Sequence, residues 1–291
     1  MNQTIYALGF FDGVHLGHRA LLNECRRLAR ETGREAGAVP FAAHPDALVF
    51  GTAPGLINTP ADRERLLRRF GMETVITLPF DKEMQSLSWD AFLEMLIREH
   101  HAAGFVCGVD FRFGSGGRGN AQTLARFCRE RGLLFAAVPE CARDGARISS
   151  TRIRDLLSRG DVEGANALLG HPHMYTGTVV PGQQLGRRLG FPTANLRPEK
   201  GLALPRFGVY ACRCHLGGEV HTSVTNVGMR PTVEGDHVTL ESWLLDFSGN
   251  LYGQEITLEF IHFLRPERKF ESLEALKAQI FSDARQARQR V

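Results

Sequence analysis

The sequence predicts an α/β domain built on a parallel sheet, followed by a small antiparallel β-barrel or sandwich with a C-terminal helix. Up to about residue 170, apolar runs alternate with helical patterns, which favours parallel strands with helices on both faces of the sheet. Beyond Gly170 the pattern is rich in strands, as is typical of a small antiparallel barrel. The 291 residues suffice for two cores, and we place the domains at 1–170 and 171–291.

The first domain opens with an apolar run at residues 4–9 that suits a buried parallel strand, and a helical pattern follows at 20–30. The later elements are predicted as strand 74–78, helix 89–101, strand 105–109, helix 121–131 and strand 133–138. Because ligands of such sheets bind beyond the carboxyl ends of the strands, the segments that follow the strands are candidate sites.

The second domain contains four predicted strands, at 176–180, 209–215, 238–247 and 255–263. Ser272 is a suitable N-cap for a closing helix that runs from 273 to about 288. We expect Leu273, Leu276 and Ile280 to form the apolar face of that helix.

The composition is that of an ordinary globular protein and restricts the function. A net charge of +3 is too small to indicate a nucleic-acid partner. We expect no signal peptide and no membrane span, because no basic start precedes a long apolar run. Six cysteines without a CxxC pair favour reduced thiols in the cytoplasm. Two arginine clusters are expected to be solvated helix faces: Arg26, Arg27 and Arg30, and Arg63, Arg65, Arg68 and Arg69.

Two histidines directly follow the first strand, in the sequence His15-Leu16-Gly17-His18. A glycine-containing turn between a strand and a helix favours phosphate, because free N–H groups and the positive end of the helix dipole meet there. Imidazoles at that point can stabilise the charge of a leaving pyrophosphate. The alternative is a loop with two solvated histidines.

A second segment predicted to bind phosphate is Arg147-Ile148-Ser149-Ser150-Thr151, which is followed by Arg152 and Arg154. Cations are unfavourable at a helix N-terminus, and a bound anion would remove that conflict. The alternative is a basic helix start without a ligand. Two further ligand-binding candidates follow probable strands, His44 and Asp110. The alternative for His44 is a turn histidine before proline, and the alternative for Asp110 is a cap of the turn backbone.

A glycine-rich segment, residues 182–195, opens the chemistry of the second domain. It lacks the Gly-Lys-Ser/Thr ending of a P-loop. Thr193 and Asn195 offer oxygen ligands suited to Mg²⁺, which takes few protein ligands. Arg187 and Arg188 alone would equally be a solvated pair.

Several strings of this chain together resemble the bacterial bifunctional riboflavin kinase/FMN adenylyltransferase family. They are LGFFDGVHLGH at 8–18, ISSTRIR at 148–154, GRRLGFPTAN at 186–195 and NVGMRPT at 226–232. Glu241 and the following DFSGNLYG at 246–253 match a further family motif, with Trp243 and Asn250 in place of a frequent histidine and aspartate. Phe10 and Ala43 also depart from the commonest family pattern.

The resemblance implies a nucleotidyltransferase domain, a riboflavin kinase domain, and the substrates and products riboflavin, FMN, FAD and ATP, with Mg²⁺. It implies catalytic roles for His15, His18 and Glu241, and Glu241 would be the general base toward the ribityl hydroxyl. Because Glu241 shares a strand face with Trp243 and Leu245, we expect burial to raise its pKa.

The remaining candidate residues follow from the same motifs. The nucleotide- or phosphate-binding set is Gly9, Phe11, Asp12, Gly17, His44, Arg147, Ser149, Ser150, Thr151, Arg154, Gly182, Gly186 and Gly190. The flavin-binding set is Asp110, Phe111, Asn226, Arg230 and Thr232, and the metal set is Thr193 and Asn195. The alternatives are a riboflavin kinase whose first domain is weak or inactive, and a flavin-binding regulator without catalysis.

Overall fold

The computed structural model describes residues 3–182, 186, 190–232 and 235–291, without the side chains of Val49, 230–232, 235 and 236. The chain divides into two compact units, Met1–Ser150 and Thr151–Val291. The domain boundary expected at residue 170 falls inside the second unit, and the limit of an independently folding fragment stays a prediction.

The first unit contains a five-stranded parallel sheet, as predicted. Its strands, in sheet order, are β3 (Thr74–Val75), β2 (Glu35–Val39), β1 (Thr4–Leu8), β4 (Ala102–Gly108) and β7 (Leu134–Val138). Its helices are α1 (Leu16–Glu31), α2 (Pro45–Val49), α3 (Pro60–Arg69), α4 (Lys82–Ser86), α5 (Trp89–His100) and α6 (Ala121–Arg131). Two small hairpins pair β5 (Arg112–Phe113) with β6 (Gly119–Asn120), and β8 (Ala142–Arg143) with β9 (Ala146–Arg147).

Apolar periodicity explains how these elements pack. All five residues of β1 are buried, as expected for a central parallel strand. Helix α1 buries Leu22, Cys25 and Ala29, which recur at helical spacing. It begins four residues earlier than the pattern predicted, because His15 rather than a later residue caps it.

The second unit begins with α7 (Ser150–Arg159), whose first residue belongs to the first unit, and α8 (Val162–Leu169). Its antiparallel sheet has the order β10 (His173–Thr178), β15 (Glu255–Arg265), β12 (Gly208–Leu216), β13 (Glu219–Thr232), β14 (Gly235–Leu244) and β11 (Ala194–Leu196). A bridge between Val180, two residues beyond β10, and Asn195 of β11 brings the two edges of the curled sheet together. This arrangement agrees with the predicted small β-barrel.

The closing helix α9 (Leu273–Arg290) is capped by Ser272, whose hydroxyl accepts a bond from Ala275 N at 3.1 Å. Leu276 and Ile280, two residues of the predicted apolar face, line a cavity, but Leu273 is 54% exposed. The prediction for Leu273 was wrong: the buried residues of α9 are Asp283, Ala284 and Ala287, toward its C-terminal end.

The prediction that both arginine clusters are solvated is wrong for Arg63. Arg63 is fully buried, whereas Arg65 and Arg68 on the same helix have half-exposed side chains. All six cysteines are free thiols, and five of them are buried. Within the described ranges, no helix is both long and apolar enough to cross a bilayer.

Two candidate active sites

A tight turn carries the chain from β1 into α1. Phe11, Gly13 and Val14 have positive φ angles of 57°, 82° and 41°, and Val14 N donates to Phe11 O at 3.0 Å. Left-handed backbone is unfavourable for a β-branched valine, and strain of this kind is concentrated at functional sites. The turn ends at His15, the N-cap of α1, and so places the histidine motif in the first turn of the helix.

The two histidine rings stack on each other, with centroids 3.7 Å apart and planes inclined by 11°. His15 Nδ1 accepts a hydrogen bond from His18 N at 3.3 Å. Because Nδ1 accepts, a neutral His15 carries its proton on Nε2, where it can be donated to a ligand. Gly17 leaves room for this stack, since a Cβ there would lie 3.1 Å from the His15 ring and crowd it.

The pKa of His18 lies well below its ordinary value of 6.5. Burial is the main cause, and the neighbouring His15 and the Arg63 cation add to it. His18 is therefore neutral near pH 7, and its Nδ1 is buried without a hydrogen-bond partner among the described residues.

A cavity of about 350 Å³ opens in front of these histidines. It collects residues that follow three different strands of the parallel sheet, as the sequence predicted for ligand-binding loops. The lining residues that the sequence singled out are Gly9, His15, Gly17, His18, Asp110, Phe111, Arg147, Ser149 and Ser150. Glu140 and Cys141 also line it and were not predicted.

Arg147 is held by two carboxylates at the mouth of this cavity. Its Nη2 contacts Asp110, and its Nη1 lies 2.7 Å from Glu140. All three side chains are about half-exposed, and such ion pairs contribute little free energy. Arg147 can therefore exchange these partners for a phosphate at low cost.

Other predicted nucleotide-binding residues do not line the cavity. Phe11 and Asp12 are buried, and the Asp12 carboxylate accepts a bond from Ile57 N at 2.8 Å. His44 caps α2, and its ring contacts the Phe10 ring at 4.8 Å. These positions indicate a supporting role for Phe11 and Asp12.

The hydroxyl residues Ser149, Ser150 and Thr151 are divided between the two units, since the first unit ends at Ser150. Ser150 Oγ donates to Asp12 O at 2.9 Å, a contact within the first unit that holds Ser150 at the turn after β1. Thr151 and Arg154 follow in α7 and fall in the second unit. Their predicted phosphate contacts stay predictions.

In the second unit, Glu241 lies between two asparagines on adjacent strands. In the sheet register it pairs with Asn195 of β11 on one side and Asn226 of β13 on the other. Directly opposed residues share a face, with Cβ atoms about 5 Å apart. The Glu241 carboxylate is thus surrounded by amide groups, and its side chain is half-buried.

This face forms one wall of a cavity of about 300 Å³. Aromatic rings line it, since Phe191 and Trp243 have centroids 5.9 Å apart and Phe270 lies on the same cavity. Helix α9 covers it and is attached through Arg265, which donates to both oxygens of the buried Asp283 at 2.9–3.2 Å. The cavity therefore suits a flat aromatic ligand with a polar end near Glu241.

Thr193 and Asn195 line this cavity and also a neighbouring one of about 710 Å³. The larger cavity is bounded on its far side by Phe247, Asn250 and Tyr252. Asn195 Oδ1 is buried without a hydrogen-bond partner in the described part of the chain. An unsatisfied amide oxygen on the same two cavities as a threonine residue fits a hard cation such as Mg²⁺.

The glycines of the preceding segment lie close to these oxygens. A Cβ at Gly182 would come within 2.6 Å of the Asn195 amide, and one at Gly186 would be 3.5 Å from Thr193 Oγ1. Gly190 has a positive φ of 95°. Arg187 and Arg188 and the side chains of Arg230 and Thr232 lie outside the described residues.

Comparisons with known proteins cover both units. A family model described as FAD synthetase matches residues 1–152, and one described as riboflavin kinase matches residues 169–291.

Curated relatives align over nearly the whole chain. The bifunctional riboflavin kinase/FMN adenylyltransferase of Listeria monocytogenes is 32% identical over 98% of this chain and 92% of its own length. That of Haemophilus influenzae is 37% identical over 97% and 92%. Among solved structures, a macrolide-efflux protein from Streptococcus pneumoniae superposes with a TM-score of 0.87 at 30% identity, covering 99% of this chain and 94% of that one.

Proposed function

The chain belongs to the bifunctional riboflavin kinase/FMN adenylyltransferase family, and from this premise we propose how its cavities perform the two reactions. The second unit transfers the γ-phosphoryl group of ATP to riboflavin and gives FMN and ADP. The first unit joins FMN to the adenylyl group of a second ATP and releases pyrophosphate, giving FAD. The placement of Glu241 beside Thr193 and Asn195, which line two adjoining cavities, carries this proposal.

Glu241 is the general base of the kinase step. The aromatic cavity holds the flavin ring and leaves the ribityl 5′-hydroxyl at Glu241, whose carboxylate takes the hydroxyl proton as oxygen attacks the γ-phosphorus. Asn226, the neighbour of Glu241 in the sheet, is fixed by a 3.0 Å bond from its Nδ2 to Glu267. It orients the base and the ribityl chain. Arg230 and Thr232 would complete the flavin wall.

ATP occupies the larger cavity, with its phosphates toward Thr193 and Asn195. These two residues would hold Mg²⁺, and the unsatisfied Asn195 Oδ1 supports this assignment. When bound, Mg²⁺ neutralises phosphate charge. Gly182 and Gly186 allow the backbone to approach this point, because a side chain at either would strike Asn195 or the Phe191 carbonyl.

The adenylyl transfer needs no strong base, because the attacking FMN phosphate is already ionised. The phosphate oxygen attacks the α-phosphorus of ATP, and the bond to pyrophosphate breaks. His15 Nε2–H and the first N–H groups of α1 stabilise the charge that develops on the leaving group. Arg147 and Arg154 bind phosphate oxygens, and Asp110 and Phe111 contact the flavin.

We also propose that the enzyme acts in the cytoplasm and binds no nucleic acid. Six free cysteines, of which five are buried, support a reducing compartment. The small net charge of +3 supports the absence of a polyanionic partner.

Product analysis tests the proposal. The purified protein is incubated with riboflavin, ATP and Mg²⁺, and flavins are separated by liquid chromatography. We expect FMN to appear first and FAD to follow. FMN without FAD would indicate a riboflavin kinase with an inactive first unit, and flavin binding without any product would indicate a regulator.

A further inference from the structure

Arg63 of α3 is the largest fully buried side chain described in this protein. Its Nη1 donates to Phe10 O at 2.9 Å and its Nη2 to Ala42 O at 3.3 Å. Phe10 belongs to the loop after β1, and Ala42 to the loop after β2. One guanidinium group thus joins two loops at the carboxyl ends of neighbouring strands.

The same two loops carry phosphate-site candidates. The guanidinium carbon of Arg63 lies 4.7 Å from the Phe10 ring centroid, and the His44 imidazole contacts the same ring with its centroid at 4.8 Å. Phe10 also lines the cavity in front of His15 and His18. A shift of Arg63 would therefore reach both loops through Phe10.

The arginine at this position carries a free-energy cost, and what it holds in return is the geometry of two loop carbonyls. Burial lowers the pKa of Arg63, and the negative charge of Asp12 only opposes that effect. Its Nε is buried with no partner among the described residues. An apolar residue would avoid desolvating a cation and leaving Nε–H unsatisfied, but it would leave the carbonyl oxygens of Phe10 and Ala42 without their Arg63 donors.

We infer that Arg63 is a positioning residue for adenylyl transfer, because its planar fork fixes the loops after β1 and β2 relative to each other. The inference rests on the adenylyltransferase function proposed for the first unit. A fork with two parallel donors sets a distance and an angle between two carbonyls, which a lysine ammonium cannot do. Correct placement of the turn after β1 then keeps His15 and His18 at the leaving pyrophosphate.

Three variants of the full-length enzyme test this inference. Arg63→Met removes charge and fork, Arg63→Lys keeps a cation without the fork, and Arg68→Met makes the same change on the exposed face of the same helix. FAD formation from FMN and ATP is measured as separate kcat and KM values. Riboflavin phosphorylation in the same preparations is the internal control.

We expect kcat of adenylylation to fall about 10- to 100-fold in Arg63→Met and at least about 10-fold in Arg63→Lys, as for displaced reacting groups. Riboflavin kinase activity should stay within about twofold in all three variants, and Arg68→Met should match wild type in both reactions. Histidine NMR gives a second readout. The pKa of His18 should rise in Arg63→Met, where the cation is lost, and stay low in Arg63→Lys.

Adenylylation in Arg63→Met at the level of Arg68→Met would overturn the inference. Wild-type kcat in Arg63→Lys would also overturn it, since a buried cation alone would then suffice. If Arg63→Met does not fold, Arg63→Lys decides by the same criterion. A wild-type enzyme that forms no FAD would instead refute the proposed function of the first unit.

Discussion

Replacing Glu241 with glutamine separates base catalysis from positioning in the kinase step. Glutamine keeps the size of the side chain and can still hydrogen-bond the ribityl hydroxyl, but it cannot accept the hydroxyl proton. Asn195 and Asn226 lie directly opposite position 241 in the sheet, and an amide fits between two amides without a buried charge. The fold of the barrel should therefore tolerate the change.

The expected loss follows from the role of the carboxylate. A positioned general base contributes about 10²- to 10⁴-fold, or about 3–5 kcal/mol of barrier at 1.36 kcal/mol per tenfold. We expect kcat of riboflavin phosphorylation to fall in that range. The dissociation constant of riboflavin should change much less, because the aromatic cavity wall of Phe191, Trp243 and Phe270 is intact.

The assay is steady-state FMN formation, with riboflavin binding followed by quenching of flavin fluorescence. FAD formation from added FMN is the control, because its cavity is built from residues of the first unit. Near-wild-type turnover by Glu241→Gln would refute the assignment of Glu241 as the base. Positioning and phosphate electrostatics would then be the whole mechanism.

Four further changes probe the histidine motif, the metal ligands, the extent of the barrel unit and the protonation of His18. His18→Ala should lower FAD formation from FMN by at least about 10²-fold, with riboflavin phosphorylation unchanged; equal loss of both activities in a folded protein would contradict two separate sites. Thr193→Val should raise the Mg²⁺ concentration needed for kinase activity, as measured by metal titration, and unchanged Mg²⁺ dependence would exclude the hydroxyl as a ligand. A 151–291 fragment should fold and form FMN. A 171–291 fragment should have a lower melting temperature, because it lacks α8, whose Asn166 donates a hydrogen bond to Phe260 O. Equal melting temperatures of the two fragments would contradict this. Because folding lowers the pKa of His18 below its ordinary value of 6.5, the folded protein should lose stability as the pH falls below 6.5. His18→Gln should therefore show a smaller fall in melting temperature between pH 7.5 and 5.5 than wild type. An unchanged fall would contradict the lowered pKa.

The sequence was sufficient where residue type and periodicity agree. Alternation along β14 placed Glu241 and Trp243 on one face, and the structure has both on the same cavity. The cross-strand asparagines at 195 and 226 could not be paired with Glu241 in advance, because their register depends on strands distant in sequence.

The predicted start of α1, at residue 20, was four residues too late. Its N-cap is a histidine, and helix starts are usually recognised by serine, threonine, aspartate or asparagine. Gly17 further weakened the helical pattern, although it is there to admit the His15 ring. The local signals of a helix start and of a ligand site therefore conflict in this segment.

Arg63 was missed because its residue type conflicts with its position. Leu66 and Leu67 lie three and four residues beyond it, and all three share the buried face of α3. We predicted a solvated Arg63 because charged residues are rarely buried unless they are paired, although its spacing to Leu66 and Leu67 is that of a core position. A charged residue at an apolar position of the helical repeat is the signal that could have found it.

Complementation between two variants, each lacking one of the two reactions, tests whether two separate sites exchange free FMN. Glu241→Gln should form FAD from FMN but almost none from riboflavin, and His18→Ala should convert riboflavin to FMN and stop. When the two variants are mixed with riboflavin, ATP and Mg²⁺, FAD should form after a lag in which free FMN accumulates. If the mixture forms no FAD while each variant retains its own half-reaction, two independent sites linked by released FMN would be contradicted.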